Sequence, residues 1–344
     1  MSPIGPVALI GSGETSLTGG RVFEAVARRY SPPLRIAILE TPAGFELNSD
    51  RVAGRVADFL RRRLANYAPE IHVIPARRRG TPLGPDNPEL LATLTTAHLI
   101  FMGPGSPTYT VRQLRDTLAW RAILARHRQG AAVVLASAAA IAAGFVALPV
   151  YEIYKAGEEL HWYEGLDLFG SFGLKLAIVS HWNNTSGGAE LDTSRCYMGL
   201  SRFTALTAML PQLTTILGID ENTGLILDLE KGRGEVLGRG GVTVIREDRE
   251  QHFGGRQKVP LAALGTFHSP FESILLPPEI PAPPEASAQT SVAPPSQEVQ
   301  TMMAQREKAR EMQDWAEADN LRARIFELGW NLQDSVDGPR LLPA

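Results

Sequence analysis

Six short apolar runs are spaced through the first 180 residues: Val7–Ile10, Arg35–Leu39, Ile71–Ile74, Leu99–Met102, Ala132–Leu135 and Lys175–Ser180. The stretches between them have helical patterning. Helices are expected from about Gly20 to Tyr30, from Ser49 into the arginine-rich Leu60–Asn66, near Pro88–Thr96 and over Val111–Arg128. Short strands alternating with helices of that length are joined in parallel by crossovers, which place helices on both faces of the sheet. The pattern predicts an α/β fold built on a doubly wound, mostly parallel sheet.

Beyond residue 200 the pattern changes. A helix through Leu200–Leu210 is followed by short strands at Thr214–Ile219, Leu225–Leu229, Glu235–Leu237 and Val242–Ile245. Gly232, Gly234, Gly238, Gly240 and Gly241 punctuate them, as hairpins require. An antiparallel extension at the sheet edge is expected. Residues 277–300 read as a linker, because Pro277–Pro295 is dense in Pro, Ala, Ser and Glu and has almost nothing to bury. A helical segment over Met302–Leu328, ending at Gly329, defines a small module of residues 301–344. The α/β domain then spans 1–276.

Composition narrows the function classes. Net charge is −3, so no basic surplus favours nucleic acid or an anionic membrane. No run approaches the roughly 18 apolar residues of a membrane helix. The start Met-Ser-Pro-Ile-Gly-Pro lacks the basic and apolar regions of a signal peptide. The single cysteine, Cys196, allows neither an intramolecular disulfide nor a cysteine-based metal cluster, and it reads as a small packing residue. A cytoplasmic protein without metal or organic cofactor is expected. Arg61–Arg63 and Arg77–Arg79 read as solvated faces. Gly11-Ser12-Gly13 is no dinucleotide loop, since Ser16 stands where the third glycine is needed.

Chemistry in such a sheet gathers at the carboxyl ends of the strands. Four of those ends carry unusual residues: Gly11–Thr15, Gly103–Tyr109, Ser137 and His181. Ser137 sits between the apolar run 132–135 and an alanine-rich helical start, where a nucleophile elbow would hold a reactive hydroxyl. A serine opening a helix is otherwise most often an N-cap. As a nucleophile it needs a base, for which His181 is the candidate. An acid must orient the imidazole, and Asp220-Glu221 at the end of Thr214–Ile219 could supply it. The backbone amides of Gly105 and Ala138 are placed by chain order to hold an oxyanion.

Phe101-Met102-Gly103-Pro104-Gly105, the Ser137 elbow, Ser180-His181 and Gly218-Ile219-Asp220-Glu221-Asn222-Thr223-Gly224 occur in the order found in peptidase family S51. That family includes cyanophycinases and aspartyl dipeptidases, and residues 5–250 resemble it, the cyanophycinase branch especially. The resemblance implies a flavodoxin-like, class I glutamine amidotransferase-like fold. It also implies Ser137 as nucleophile, His181 as base, Glu221 as acid and the Gly103–Gly105 loop as part of the oxyanion hole. Arg195 and Arg202 could supply the cation such enzymes use for an acidic group, and Asn183 is a further substrate-binding candidate, although the family prefers other residues than Trp182-Asn183-Asn184 after its histidine. The family's elbow reads Gly-x-Ser-Ala-Gly-Ala, whereas this chain has Leu135 and Ala139 at the two glycine positions.

The tail has a resemblance of its own. Arg306–Arg310, Asp314–Arg322 and Leu328–Asp334 are similar to the C-terminal helical segment of cysteinyl-tRNA synthetases. No nucleotide-binding signature or zinc cysteines accompany it, so aminoacylation is excluded. The tail reads as a helical hairpin with Leu321, Ile325, Phe326 and Leu328 to bury. It is expected to dock a protein, an RNA contact being the weaker alternative because Arg and Glu nearly balance.

Two functions of different class follow. One is a serine-type hydrolase of peptide or isopeptide bonds, taking a peptide or small acidic amide, with a homodimer as its candidate assembly. The other is a catalytically degenerate binding or regulatory protein that retains the amidotransferase-like fold.

Overall fold

In the computed structural model, which describes residues 4–268, 296–312, 314–328, 330–333 and 339–343, the predicted alternation is realised as two sheets. The first carries β1 (Val7–Ile10), β2 (Arg35–Leu39), β3 (Glu70–Ile74), β4 (Leu99–Met102) and β5 (Ala132–Ala136) in the parallel order β1-β5-β4-β2-β3. Helices α1 (Leu17–Ala27), α2 (Ser49–Arg63), α3 (Pro107–Leu114) and α4 (Leu118–Arg128) connect and cover it.

Strand alternation sorts the side chains between the faces. Ala8, Ile10, Ile36, Ile38, Phe101 and Val134 meet Val22, Phe23, Val56 and Leu60 of α1 and α2. Val7, Leu9, Leu39, Met102, Val133 and Leu135 meet Val111, Leu114, Trp120 and Ile123 of α3 and α4. β1, β2, β4 and β5 are buried almost throughout, as strands covered on both faces must be, whereas edge strand β3 alternates in exposure.

Two expectations change at the helices. The single helix expected over Val111–Arg128 is two, because Asp116 adopts φ +61° and Thr117 caps α4 by accepting the Trp120 amide. The helix expected near Pro88–Thr96 is a single 3-10 turn, Ala92–Thr96.

After β5 the chain enters α5 (Ala138–Ala142), β6 (Val146–Ala147), α6 (Val150–Tyr154), β7 (Tyr163–Glu164), β8 (Leu176–Val179) and α7 (Gly199–Ala208). Then follow β9 (Thr215–Ile219), β10 (Thr223–Asp228), β11 (Arg233–Gly238), β12 (Val242–Arg246), β13 (Arg249–Phe253) and β14 (Lys258–Pro260). The second sheet has the order β13-β12-β9-β8-β6-β7. Ile178, Leu176 and Leu217 from it share a core with Leu135 of the first.

The antiparallel extension is present, as β10, β11 and β14 beside β1. However, the predicted strand at Lys175–Ser180 does not continue the first sheet; it pairs with β6 and β9 in the second. Fully buried strands read alike in either sheet, so the partner is not encoded in the apolar run.

The chain crosses between sheets twice, side by side. Asp220–Asn222 leads from β9 to β10, and 239–241 leads from β11 back to β12. Asp220 ties the crossings together: its Oδ2 accepts the Gly241 amide at 2.8 Å. A Cβ at Gly240 would meet the Asp220 Cβ at 2.5 Å, so only glycine lets the segments approach this closely.

Contacts divide the chain into Met1–Ile280 and Pro281–Ala344. The linker expected over 277–300 falls largely outside the described residues, and α8 (Gln297–Glu311) already begins within that span. The tail unit contains α8, α9 (Trp315–Glu327) and an antiparallel ribbon, β15 (Trp330–Gln333) with β16 (Arg340–Pro343), which helical patterning did not reveal. Val299, Met302, Leu321, Ile325 and Leu332 form its core. Phe326 and Leu328, expected to be buried, are exposed instead, because the ribbon covers the Leu321–Ile325 face of α9. Among the described residues no helix is long and apolar enough to cross a membrane.

Candidate active site

β5 is held between β1 and β4, and its register continues one residue further: the Ser137 amide donates to the Ile10 carbonyl at 2.9 Å. The chain must then turn at once into α5. It does so with Ser137 at φ +52°, ψ −113°. L-residues rarely adopt such a conformation, which stores on the order of 1–3 kcal/mol. The surroundings enforce it, since the Ser137 carbonyl accepts the Ser180 hydroxyl and the Ile141 amide, both at 3.1 Å.

The missing glycines are absorbed without loss of the turn. Leu135 is fully buried in the core shared by the sheets, and Ala139 is fully buried in the same cluster. The Ser137 hydroxyl does not cap α5. It lies 2.9 Å from His181 Nε2.

His181 stands just past β8, with φ +52°. Its carbonyl accepts the Asn184 amide at 3.1 Å and the Cys196 amide at 3.2 Å, which fixes the backbone that carries the ring. Its Nδ1 lies 2.8 Å from Glu221 Oε1, where a protonated nitrogen donates to the carboxylate. Of the adjacent acids, Glu221 therefore faces the imidazole, while Asp220 is turned to the Gly241 amide. Partial burial pushes the Glu221 carboxyl up, but hydrogen bonds from His181 and Asn184, with the imidazole's charge, outweigh it. The group is held below the usual carboxylate range.

The two asparagines after His181 both act on Glu221. Asn184 Nδ2 donates to Oε1 at 2.8 Å, and Asn183 Oδ1 accepts the Glu221 amide at 2.8 Å. Sequence reasoning missed Asn184, although its spacing of three from His181 was visible. It assigned Asn183 to the substrate, whereas the structure places its side chain on the acid's backbone.

A cavity of about 200 Å³ opens beside Ser137 and His181, with Gly105 and Ala138 on its wall. Ala138 opens α5, so its amide belongs to the first turn, where helix geometry supplies no internal acceptor. Gly105 has φ +151°, and a Cβ there would meet the Pro42 carbonyl oxygen at 1.9 Å, so the loop can pack this closely against Pro42 only as glycine.

The two arginines are not brought to the cavity. Arg195 lies over the Trp182 ring, 3.9 Å from its centroid, and donates to the Trp182 carbonyl. Arg202 is exposed on α7. The cation on the cavity wall is Lys155, at the end of α6, which no motif had marked.

Residues 195–197 have φ of +57°, +59° and +69°, three consecutive left-handed residues without a glycine. Hydrogen bonds from the Arg195 amide to the Trp182 carbonyl and from the Cys196 amide to the His181 carbonyl hold this turn, which puts Cys196 and Tyr197 on the cavity wall. Burial, then the nearby Glu221 charge, pushes the Cys196 thiol up to about 12, so it stays neutral. Among the described residues no group of three His, Cys, Asp or Glu side chains is placed to hold a metal.

Fold and site thus define an α/β protein with a serine–histidine–carboxylate relay at the strand ends. The sequence matches no family model and no curated protein. The fold is similar to the crystal structure of a peptidase from an acI-B1 Actinobacterium, with TM-score 0.59 and 20% identity over 75% of this chain and 97% of that one. At that identity the likeness concerns the fold. A structure from Listeria monocytogenes EGD-e, provisionally described as a peptidase E, aligns over 71% of this chain and 98% of its own at 15% identity. Its TM-score is 0.43, too low to carry an argument.

Proposed function

We propose that the chain is a serine-type hydrolase of peptide or isopeptide bonds acting by acyl transfer. The observation that carries this reading is the Ser137 hydroxyl, 2.9 Å from His181 Nε2 on a backbone held at φ +52°. A protein that kept the fold only to bind a partner would gain nothing from that strain, which an ordinary N-cap serine avoids. The fold neighbour described as a peptidase favours a peptide as the acyl donor.

In the proposed reaction Ser137 Oγ attacks the scissile carbonyl carbon while its proton passes to His181 Nε2. Glu221 stabilises the resulting imidazolium through Nδ1, and Asn184 keeps the carboxylate aimed. The carbonyl oxygen takes the electron pair and is held by the Gly105 and Ala138 amides. Collapse of the intermediate breaks the C–N bond, and His181 returns the proton to the departing amine. Water, deprotonated by the same nitrogen, then attacks the acyl-serine; the bond from the acyl carbon to Oγ breaks, His181 returns the proton to Ser137 Oγ, and the acid departs.

A fluorophosphonate probe tests the proposal on the intact chain. Labelling that is lost in Ser137→Ala, with hydrolysis of a peptide library lost alongside, is the expected result. Hydrolysis that survives in Ser137→Ala would overturn the assignment.

A further inference from the structure

The cavity beside Ser137 has one cation on its wall, Lys155, and its Nζ already lies over the Tyr154 ring, 4.8 Å from the centroid. Arg195 is spent on Trp182, and Arg202 is elsewhere on the surface. Away from Ser137, His181 and Lys155 the wall is formed largely by Pro107, Ile141, Val150, Tyr151, Tyr154 and Tyr197. Tyr154 and Tyr197 are in mutual contact, their ring centroids 5.1 Å apart, and Tyr197 lies 6.3 Å from the His181 ring. The left-handed turn at 195–197, one of the strained segments of the chain, is what carries Tyr197 there.

We propose that this cavity receives a large apolar or aromatic side chain on the acyl side of the scissile bond. The inference rests on the hydrolase reading for which bond is presented, and it names the substrate class of that same site. Three arguments support it. Size comes first: an engineered cavity of about 150 Å³ admits a benzene ring, and this one is about 200 Å³. Electrostatics come second. Lys155 Nζ already lies 4.8 Å from the centroid of the Tyr154 ring, so a basic side chain would meet an occupied π-face and a like charge. An acidic side chain would have to leave water for a wall rich in rings and aliphatic carbons, where the one lysine, exposed, already lies over the Tyr154 ring. The third argument is kinetic. The acyl residue stays attached through both half-reactions, so its pocket should share walls with the nucleophile and the oxyanion donors, as this one does through Ser137, Gly105 and Ala138.

Selectivity can be read without turnover. N-acetyl-Xaa-Ala amides, with Xaa as Phe, Leu, Asp or Lys, are titrated into the full chain carrying Ser137→Ala. The Phe and Leu ligands are expected to bind about 10-fold more tightly than those with Asp or Lys, a ratio within what apolar pocket contacts supply. Tyr154→Ala in the same background should remove most of that ratio. Should truncation loosen α6, Val150→Trp fills the cavity and should exclude the Phe ligand while the chain keeps its circular dichroism spectrum. Tightest binding of the Asp ligand, or equal binding of all four, overturns the inference. Fluorophosphonate labelling of the wild-type chain separates the two proposals. Selective apolar binding without labelling would remove the hydrolase reading alone, and labelling with an Asp preference would remove this one alone.

Discussion

Asn184 and His181 meet on a single oxygen of Glu221, each at 2.8 Å. The carboxylate therefore receives two donors from residues three apart on the loop after β8, and its orientation does not depend on the imidazole alone. Asn184→Ala should lower kcat about 10-fold, at the lower end of what an orienting partner of a catalytic group is worth, with KM nearly unchanged. Asn184→Asp would put a second negative charge beside Glu221 and should be worse than alanine. Steady-state kinetics on both variants checks the order.

Glu221 also gives the fold a defined pH dependence. Its carboxyl is held below its ordinary value, so the ionised form is favoured in the folded chain. The stability this supplies is fully present above the ordinary carboxylate value and is lost as pH falls through the lowered folded value. Urea denaturation of wild type and Glu221→Gln at a series of pH values should show a gap that is constant near neutrality and closes in acid. A gap that widens in acid would contradict the assignment.

Ser137→Gly separates strain from chemistry. Glycine adopts φ +52°, ψ −113° at little cost, so the substitution relieves on the order of 1–3 kcal/mol of backbone strain and loses about 0.5–1 kcal/mol to unfolded-state entropy. The variant should be inactive, and its thermal midpoint should equal or exceed that of wild type.

Glycines at the two positions flanking Ser137 should not improve the elbow. Leu135 is fully buried among Leu9, Met102 and Ala139 in the core between the sheets. Leu135→Gly should cost about 3–5 kcal/mol, from the cavity and the lost side chain, with no gain in kcat. Ala139→Gly should cost about 1 kcal/mol in α5 and likewise leave kcat unimproved.

Gly105→Ala tests the oxyanion donors. The added Cβ would strike the Pro42 carbonyl oxygen, so the loop must shift and take its amide with it. A fall in kcat of about 10²–10³, with a smaller change in KM, is expected.

The parts of this site that were legible in the sequence were those fixed by position along the chain. Ser137, His181 and the acid at 220–221 each end a recognisable strand, and strand ends gather in this class of fold. What could not be read was which neighbour each side chain faces. Asp220 and Glu221 are adjacent and chemically alike, and only the crossing between sheets turns one to Gly241 and the other to His181. Arg195 is one residue from Cys196 on the cavity wall, yet it stacks outward on Trp182, because three left-handed residues in succession cannot be anticipated without a glycine. Lys155 has no motif at all, since it enters the cavity wall at the end of a short helix that has no periodicity to read.

Ser137 follows β5 of the first sheet, His181 follows β8 of the second, and Glu221 lies on the crossing from β9 to β10. The relay is therefore divided among segments the ribosome delivers at quite different times. A nascent chain that has emerged only through residue 137 holds its serine but has neither base nor acid, and even one complete through β8 still lacks Glu221. In the proposed mechanism hydrolytic competence would wait on the assembly of both sheets, so the unfinished polypeptide would carry no working blade while it is still being made.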